Sequence, residues 1–248
     1  MGSARDGADD WIEQPGSASN WRARIEAHGL VQVRRWWSVQ RCAAAVEAIE
    51  AARGRWTPDF GGVQCSLGRA WYTHLETDRA GEYFANATQA DALVESVIPG
   101  LQAELRGALS EATGAPVRQR RGWCGAGVHI FEPGGRCARV GGSVHFDYEG
   151  LTRAQLRSHA PAWSMVLVLQ AAASGGGLRI FDVVYTDHVE PTAAEVTAEH
   201  VDVDYQTGDL VVFDSHRLHW IQPFGGDRAR ISATLHGVQT PEGWECWF

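Results

Sequence analysis

The sequence predicts an α+β fold with a mainly β core: a helical first half packed on one outer face of a sheet built by the second half. Three observations lead there. Apolar residues recur at helical spacing before residue 119. From Arg120 onward, short β-rich segments alternate with glycine turns. The strand spacing there suits a sandwich or barrel.

Taken in order, residues 1–18 are polar and read as a flexible leader, followed by a single domain over 19–248. Within it we expect a helical preface over 19–119, a β core over 120–238 and a tail over 239–248. Leu30–Trp37 reads as a strand. Ser38 caps a helix over Val39–Arg53 that Gly54 ends. Thr88 and Asp91 open a second helix, with Leu93, Val97, Leu101, Leu105 and Leu109 forming one buried stripe and Pro99 bending it. The expected strands are Gly127–Phe131, Ser143–Phe146, Trp163–Gln170, Leu178–Val184, Leu210–Phe213 and Arg230–Val238. Turns fall at Pro133–Gly135, Gly175–Gly177, Thr207–Asp209 and Gly225–Gly226.

Composition narrows the function. The chain has 248 residues, 44% hydrophobic and 21% charged, which excludes disorder as the dominant state. No apolar run approaches the length of a membrane span, and the N-terminus lacks the apolar core of a secretory signal. A net charge of -8 disfavours a nucleic-acid partner. All 22 basic residues are arginine, which removes Schiff-base chemistry and lysine-dependent phosphate loops. The five cysteines form no CxxC pair and read as reduced thiols of a cytoplasmic protein.

The chemistry lies in the histidines. In an extended segment, residues i and i+2 face the same way, so His145 and Asp147 would project together into one cavity. The second such pair, His200 and Asp202, reads as an edge strand before the Gly208 turn. Downstream, residues 208–237 read as turn, buried strand, loop carrying His219, turn and second strand. His219 is the candidate third ligand and His216 its competitor. Two histidines and one carboxylate leave coordination positions open, the facial arrangement of non-haem Fe(II) oxygenases. Arg230, Ser232 and Thr234 share one face of the last strand, and a buried guanidinium there needs an anion. Arg228 is the alternative anchor, placed nearer the loop edge.

His145-Phe-Asp147, His219 and Arg230-Ile-Ser232, together with PGGRCARVGGSVHFDY, the GGGL turn at 175–178 and GDLVVFDS, resemble the signature of the Fe(II)/2-oxoglutarate-dependent oxygenases. The resemblance covers roughly residues 120–238. It implies a double-stranded β-helix, the jelly roll shared with cupins. It implies His145, Asp147 and His219 as catalytic iron ligands, and Arg230, helped by Ser232, on the distal carboxylate of 2-oxoglutarate. Iron, 2-oxoglutarate and O2 would together oxidise an unactivated C–H bond, with hydroxylation the default and succinate and CO2 released. Halogenating members have a small residue in place of the aspartate, so Asp147 disfavours halogenation. Many members place a tyrosine where Phe131 stands, and Phe131 cannot donate that hydrogen bond. The expected substrate is a small molecule, such as a free amino acid or natural-product intermediate. Oxidation of a protein side chain, or a cupin-like metalloenzyme without 2-oxoglutarate, is the alternative.

Other residues invite a role. Trp71, Tyr72 and His74 could cover the mouth of the site. His129 is either a core histidine or faces substrate. Arg118, Arg120 and Arg121 are either a solvated turn or the carboxylate anchor of an acidic substrate. The aromatic tail GWECWF is expected to dock on the barrel or at a subunit contact.

Overall fold

The computed structural model describes residues 10–16 and 18–248. The first half supplies α1 (Trp21–His28), α2 (Val39–Ala51), α3 (Trp71–Glu76), α4 (Ala80–Val97) and α5 (Leu101–Thr113), and short strands β1 (Ile12–Glu13), β2 (Leu30–Val33), β3 (Thr57–Asp59), β4 (Gln64–Leu67) and β5 (Val117–Gln119). The second half supplies β6 (Gly127–Phe131), β7 (Ala162–Gln170), β8 (Ser174–Gly175), β9 (Leu178–Val184), β10 (His200–Val203), β11 (Leu210–Asp214), β12 (Arg217–Ile221), β13 (Phe224–Gly225), β14 (Arg230–Thr240) and β15 (Gly243–Trp247), with two short helices, α6 (Arg136–Val140) and α7 (Arg153–Ser158).

Ten strands form a large sheet whose main path runs β1-β2-β11-β7-β14-β6-β4-β3, with β15 joining β14 to β5. A smaller sheet, β10-β9-β12, and a β8–β13 pair complete the β structure of the described residues. Alternation along the central strands decides what each face of the large sheet does. The odd-numbered residues Met165, Leu167 and Leu169 of β7, and Ile231, Ala233 and Leu235 of β14, join a core with Ile49 of α2, Val94 of α4 and Leu105 and Leu109 of α5. Val168 of β7 turns the other way and packs with Val211 and Phe213 of β11 on Leu178, Ile180 and Val203 of the small sheet. The helices therefore cover one face, as expected, and the small sheet covers the other.

Several local expectations are corrected. Of the leader, residues 1–9 and 17 lie outside the described residues, but Ile12–Glu13 pairs in parallel with Gln32–Val33. The Leu30 strand ends at Val33, short of Trp37. Ser38 does cap α2, its hydroxyl accepting from the Arg41 N–H at 3.2 Å, but the helix ends at Ala51 and a 3-10 turn takes Arg53–Arg55. The single bent helix is two helices, and it opens at Ala80 rather than Thr88. Pro99 breaks rather than bends it: Ile98 is forced out of helical geometry (φ -131°, ψ 79°), and Gly100 takes a left-handed φ of 81°. Ser143–Phe146 is not a strand; it makes one isolated bridge, His145 to His219. The loop expected to carry His219 is strand β12. The tail docks as β15 on β14, and Phe248 is buried, its carbonyl accepting from the Trp71 N–H at 2.8 Å. The five cysteines are all free thiols, and no helix of the described residues is long and apolar enough to cross a membrane.

Candidate metal centre and cosubstrate cavity

Residues 142–147 run antiparallel beside β12. The Gly142 N–H donates to the Ile221 carbonyl (2.9 Å), His145 and His219 exchange both backbone bonds, and the Asp147 N–H donates to the Ser215 carbonyl (3.0 Å). These bonds set the register that brings His145, Asp147 and His219 together. Their ligand atoms all lie within 4.8 Å of one another. The two Nε2 atoms stand 3.4 Å (His145) and 3.5 Å (His219) from Asp147 Oδ1. Each Nδ1 is held by a backbone carbonyl, Ser143 at 2.9 Å and Arg217 at 3.0 Å, so each Nε2 faces its neighbours. Ligand atoms about 2.1 Å from a shared divalent ion and near right angles are about 3 Å apart, so the donor set fits one ion after a small contraction.

The second oxygen of Asp147 is committed elsewhere. Oδ2 accepts from the Ser164 hydroxyl on β7, which also lies 2.8 Å from Ser215 Oγ and 3.0 Å from His236 Nδ1. His236 Nδ1 is itself 3.6 Å from Oδ2. Burial opposes the charge on Asp147, but His219, His236 and His145 around it hold its carboxyl well below the usual range. Burial alone would lower His145, yet the hydrogen bond and charge of Asp147 carry it up to about 9. Burial dominates at His219 and takes it down to about 4.

The cluster opens on a cavity of about 700 Å³ between the large sheet and the small one. On β14, Arg230, Ser232, Thr234 and His236 all line it, two residues apart, as strand alternation requires. Arg230 is 2% exposed. It donates to the Gly176 carbonyl (3.2 Å), Ser232 Oγ (3.3 Å) and the Tyr205 hydroxyl, all neutral oxygens. Among the described residues it has no carboxylate partner. Phe131 lies beside it, with the guanidinium carbon 5.3 Å from the ring centroid. The hydroxyl near Arg230 that Phe131 lacks comes from Tyr205, in the loop after β10.

No family model matches the chain, and no curated protein matches it. Solved structures do. The epimerase SnoN from nogalamycin biosynthesis, a non-heme alpha ketoglutarate dependent enzyme, superposes with a TM-score of 0.58 at 13% identity, over 91% of this chain and 84% of that one. The carbocyclase SnoK of the same biosynthesis gives 0.57 at 17% identity, over 89% and 82%. An N-substituted L-amino acid dioxygenase from Burkholderia ambifaria AMMD gives 0.56 at 17%, over 93% and 90%. The chain has the fold of the Fe(II)/2-oxoglutarate-dependent oxygenases. SnoN has also been solved in complex with Fe3+, alpha ketoglutarate and nogalamycin RO, and that structure matches with a TM-score of 0.55 at 14% identity.

The remaining candidates sort by this cavity. His216 sits in the two-residue turn between β11 and β12, its Nε2 3.0 Å from the Ala160 carbonyl and outside the cluster. Arg228 is exposed and reaches only the Ala172 carbonyl, at 3.4 Å. His200 and Asp202 lie on edge strand β10, with Asp202 paired to Arg179. Tyr72 lines the cavity, whereas His74 is turned away onto the Ala70 carbonyl (2.8 Å). His129 lines the cavity wall, and burial lowers it to about 3. Arg118 and Arg120 pair with Glu245 at the tail, and neither they nor Arg121 line the cavity, so the acidic-substrate anchor is not there. Sequence reading missed His236, Glu149 and Tyr205, which all line the cavity. Carrying the two-residue period one step beyond Thr234, and one step beyond Asp147, would have found the first two. No local signal marks Tyr205.

Proposed function

We propose that the chain is a non-haem Fe(II)- and 2-oxoglutarate-dependent oxygenase acting on a small molecule, with His145, Asp147 and His219 on iron and Arg230 and Ser232 on 2-oxoglutarate. Its two facing sheets are read as a double-stranded β-helix. The observation that carries the reading is Arg230: a guanidinium 2% exposed, bonded only to neutral groups, facing the same cavity as the metal cluster. Burying an unpaired charge is costly, and a carboxylate delivered by a cosubstrate removes that cost. Tyr205 and Ser232 fix the guanidinium plane so that its remaining N–H groups can meet a carboxylate side by side.

When bound, iron and 2-oxoglutarate would supply the oxidising power, splitting O2 between succinate and the product as CO2 leaves. This chain's residues do the rest. Ser164, itself bonded to His236, holds one oxygen of Asp147, turning the other toward the histidine Nε2 atoms. Val166 and Phe213 give the cavity an apolar wall that limits water. Asp147 keeps a carboxylate at the position that halogenation needs empty, so hydroxylation is the proposed outcome. A cavity of about 700 Å³ suits a small molecule better than a folded protein.

Anaerobic addition of Fe(II) and then 2-oxoglutarate tests both cofactors. A visible charge-transfer band that needs both components is expected. Metal binding without any band on adding 2-oxoglutarate would favour the cupin-like alternative.

A further inference from the structure

The cavity is electrically lopsided. Its lining arginines, Arg136 and Arg230, belong to the end that holds Phe131 and Cys137. Beyond the metal cluster the lining turns acidic: Glu76 of α3 and Glu149 both line the cavity, close enough to each other and to His145 to interact, and burial raises both carboxyls. Among the described residues no arginine pairs with either. Glu149 adjoins the Tyr148 hydroxyl, and Tyr72 lines the same end.

Two polar oxygens of the cavity wall also make no hydrogen bond among the described residues. Thr234 is 5% exposed, and its hydroxyl makes no hydrogen bond among the described residues. Gln64 is 6% exposed; its Nε2 donates to the Tyr72 hydroxyl at 2.6 Å, which leaves its Oε1 without a donor. Both line the cavity. Their oxygens are open to the cavity rather than sealed in the core, so a ligand's donors can reach them. Two carboxylates without an arginine partner, an open amide oxygen and two phenol rings match a donor-rich cation.

We propose that the substrate is a protonated amine with an apolar body, its ammonium received by Glu149 and Glu76 between Tyr72 and Tyr148. This rests on the oxygenase reading for the reaction, but the recognition itself is a property of the cavity. Arg230 takes the anionic cosubstrate at one end, the carboxylates take the cationic substrate at the other, and each end repels the ligand that carries its own charge.

The test compares neutral, anionic and cationic probes of one shape: phenethylamine, phenethyl alcohol and hydrocinnamate, then hexylamine, hexanol and hexanoate. Each is titrated calorimetrically into anaerobic protein loaded with Fe(II) and 2-oxoglutarate, with the absorption band recorded in the same samples. The amines are expected to bind at least about tenfold more tightly than their neutral and anionic partners. The preference should vanish in the Glu76→Gln, Glu149→Gln double variant while the band persists. Saturation by the acids or alcohols as tight as by the amines, no saturation by either amine, or a preference that survives in the double variant overturns the proposal. A normal band with no amine preference removes this proposal alone. Amine preference without the band keeps cation recognition and removes the oxygenase.

Discussion

His145 and His219 exchange both of their backbone hydrogen bonds, at 3.1 and 2.9 Å, and their rings stand 4.3 Å apart. A single β-bridge thus aligns two candidate ligands from distant parts of the chain, and the backbone rather than the side chains sets their spacing.

Side-chain removal should therefore leave the frame intact. Asp147→Ala and His219→Ala are each expected to lose Fe(II) retention and substrate-dependent succinate formation, with an unchanged circular dichroism spectrum. Full turnover by either variant would mean that these residues are not the ligands.

Arg230→Ala is expected to raise the 2-oxoglutarate requirement about 30-fold or more, the ~2 kcal/mol typical of breaking a buried charged pair. Iron binding should be unaffected, and Arg228→Ala should change neither. Without cosubstrate, Arg230→Met should melt higher than the parent chain, because an uncompensated buried charge is gone. Cosubstrate titrations and melting curves decide both points.

Ser164 touches the cluster through Asp147 Oδ2, with Ser215 and His236 against the same hydroxyl. Ser164→Ala should weaken Fe(II) affinity by about 10–100-fold without changing the ligand set. Competition with a chelator measures this; an unaltered affinity would show that the hydroxyl does not orient the carboxylate.

His129, outside the candidate ligand set, gives the fold an acid sensitivity. Burial lowers it from 6.5 to about 3, so between those values the unfolded chain binds a proton that the folded chain refuses. Its contribution is complete above pH 6.5 and drains away as the pH falls, by up to ~1.4 kcal/mol per pH unit. Urea midpoints from pH 7 to pH 4 should fall more steeply for the parent chain than for His129→Phe. Parallel slopes would contradict this.

A Cβ on Gly127 would lie 2.1 Å from the Phe248 ring. Gly127→Ala should cost about 1–3 kcal/mol by overpacking. Phe248→Ala should cost about 3–5 kcal/mol through the cavity it leaves. The double variant should be more stable than the two costs added together imply, because removing the ring relieves the clash. Additive losses would show that the ring and residue 127 do not compete for space.

Much of this was legible from residue order. Gly127–Phe131 and Leu178–Val184 form strands as expected, because β-branched and aromatic runs there end at turns. His145, Asp147 and His219 meet, and Arg230, Ser232 and Thr234 share a face, because a period of two survives any tertiary context. The failures are equally physical. Ser143–Phe146 has strand composition, but after Gly141 and Gly142 it gains only a single bridge on β12. Arg217–Ile221 read as a loop because its inward residues include His219, polar for the sake of the site. Glu76, Gln64 and Tyr205 come from separate elements, and only their convergence gives them meaning.

The alternation of β14 has a consequence for how this chain could change. Arg230, Ser232, Thr234 and His236 face inward while Ile231, Ala233 and Leu235 bear on the helices. Inserting one amino acid ahead of this stretch would invert it, sending the polar set beneath the helical layer and the apolar set into the cavity. Loops on either side can grow or shrink, but this strand tolerates length changes only in pairs.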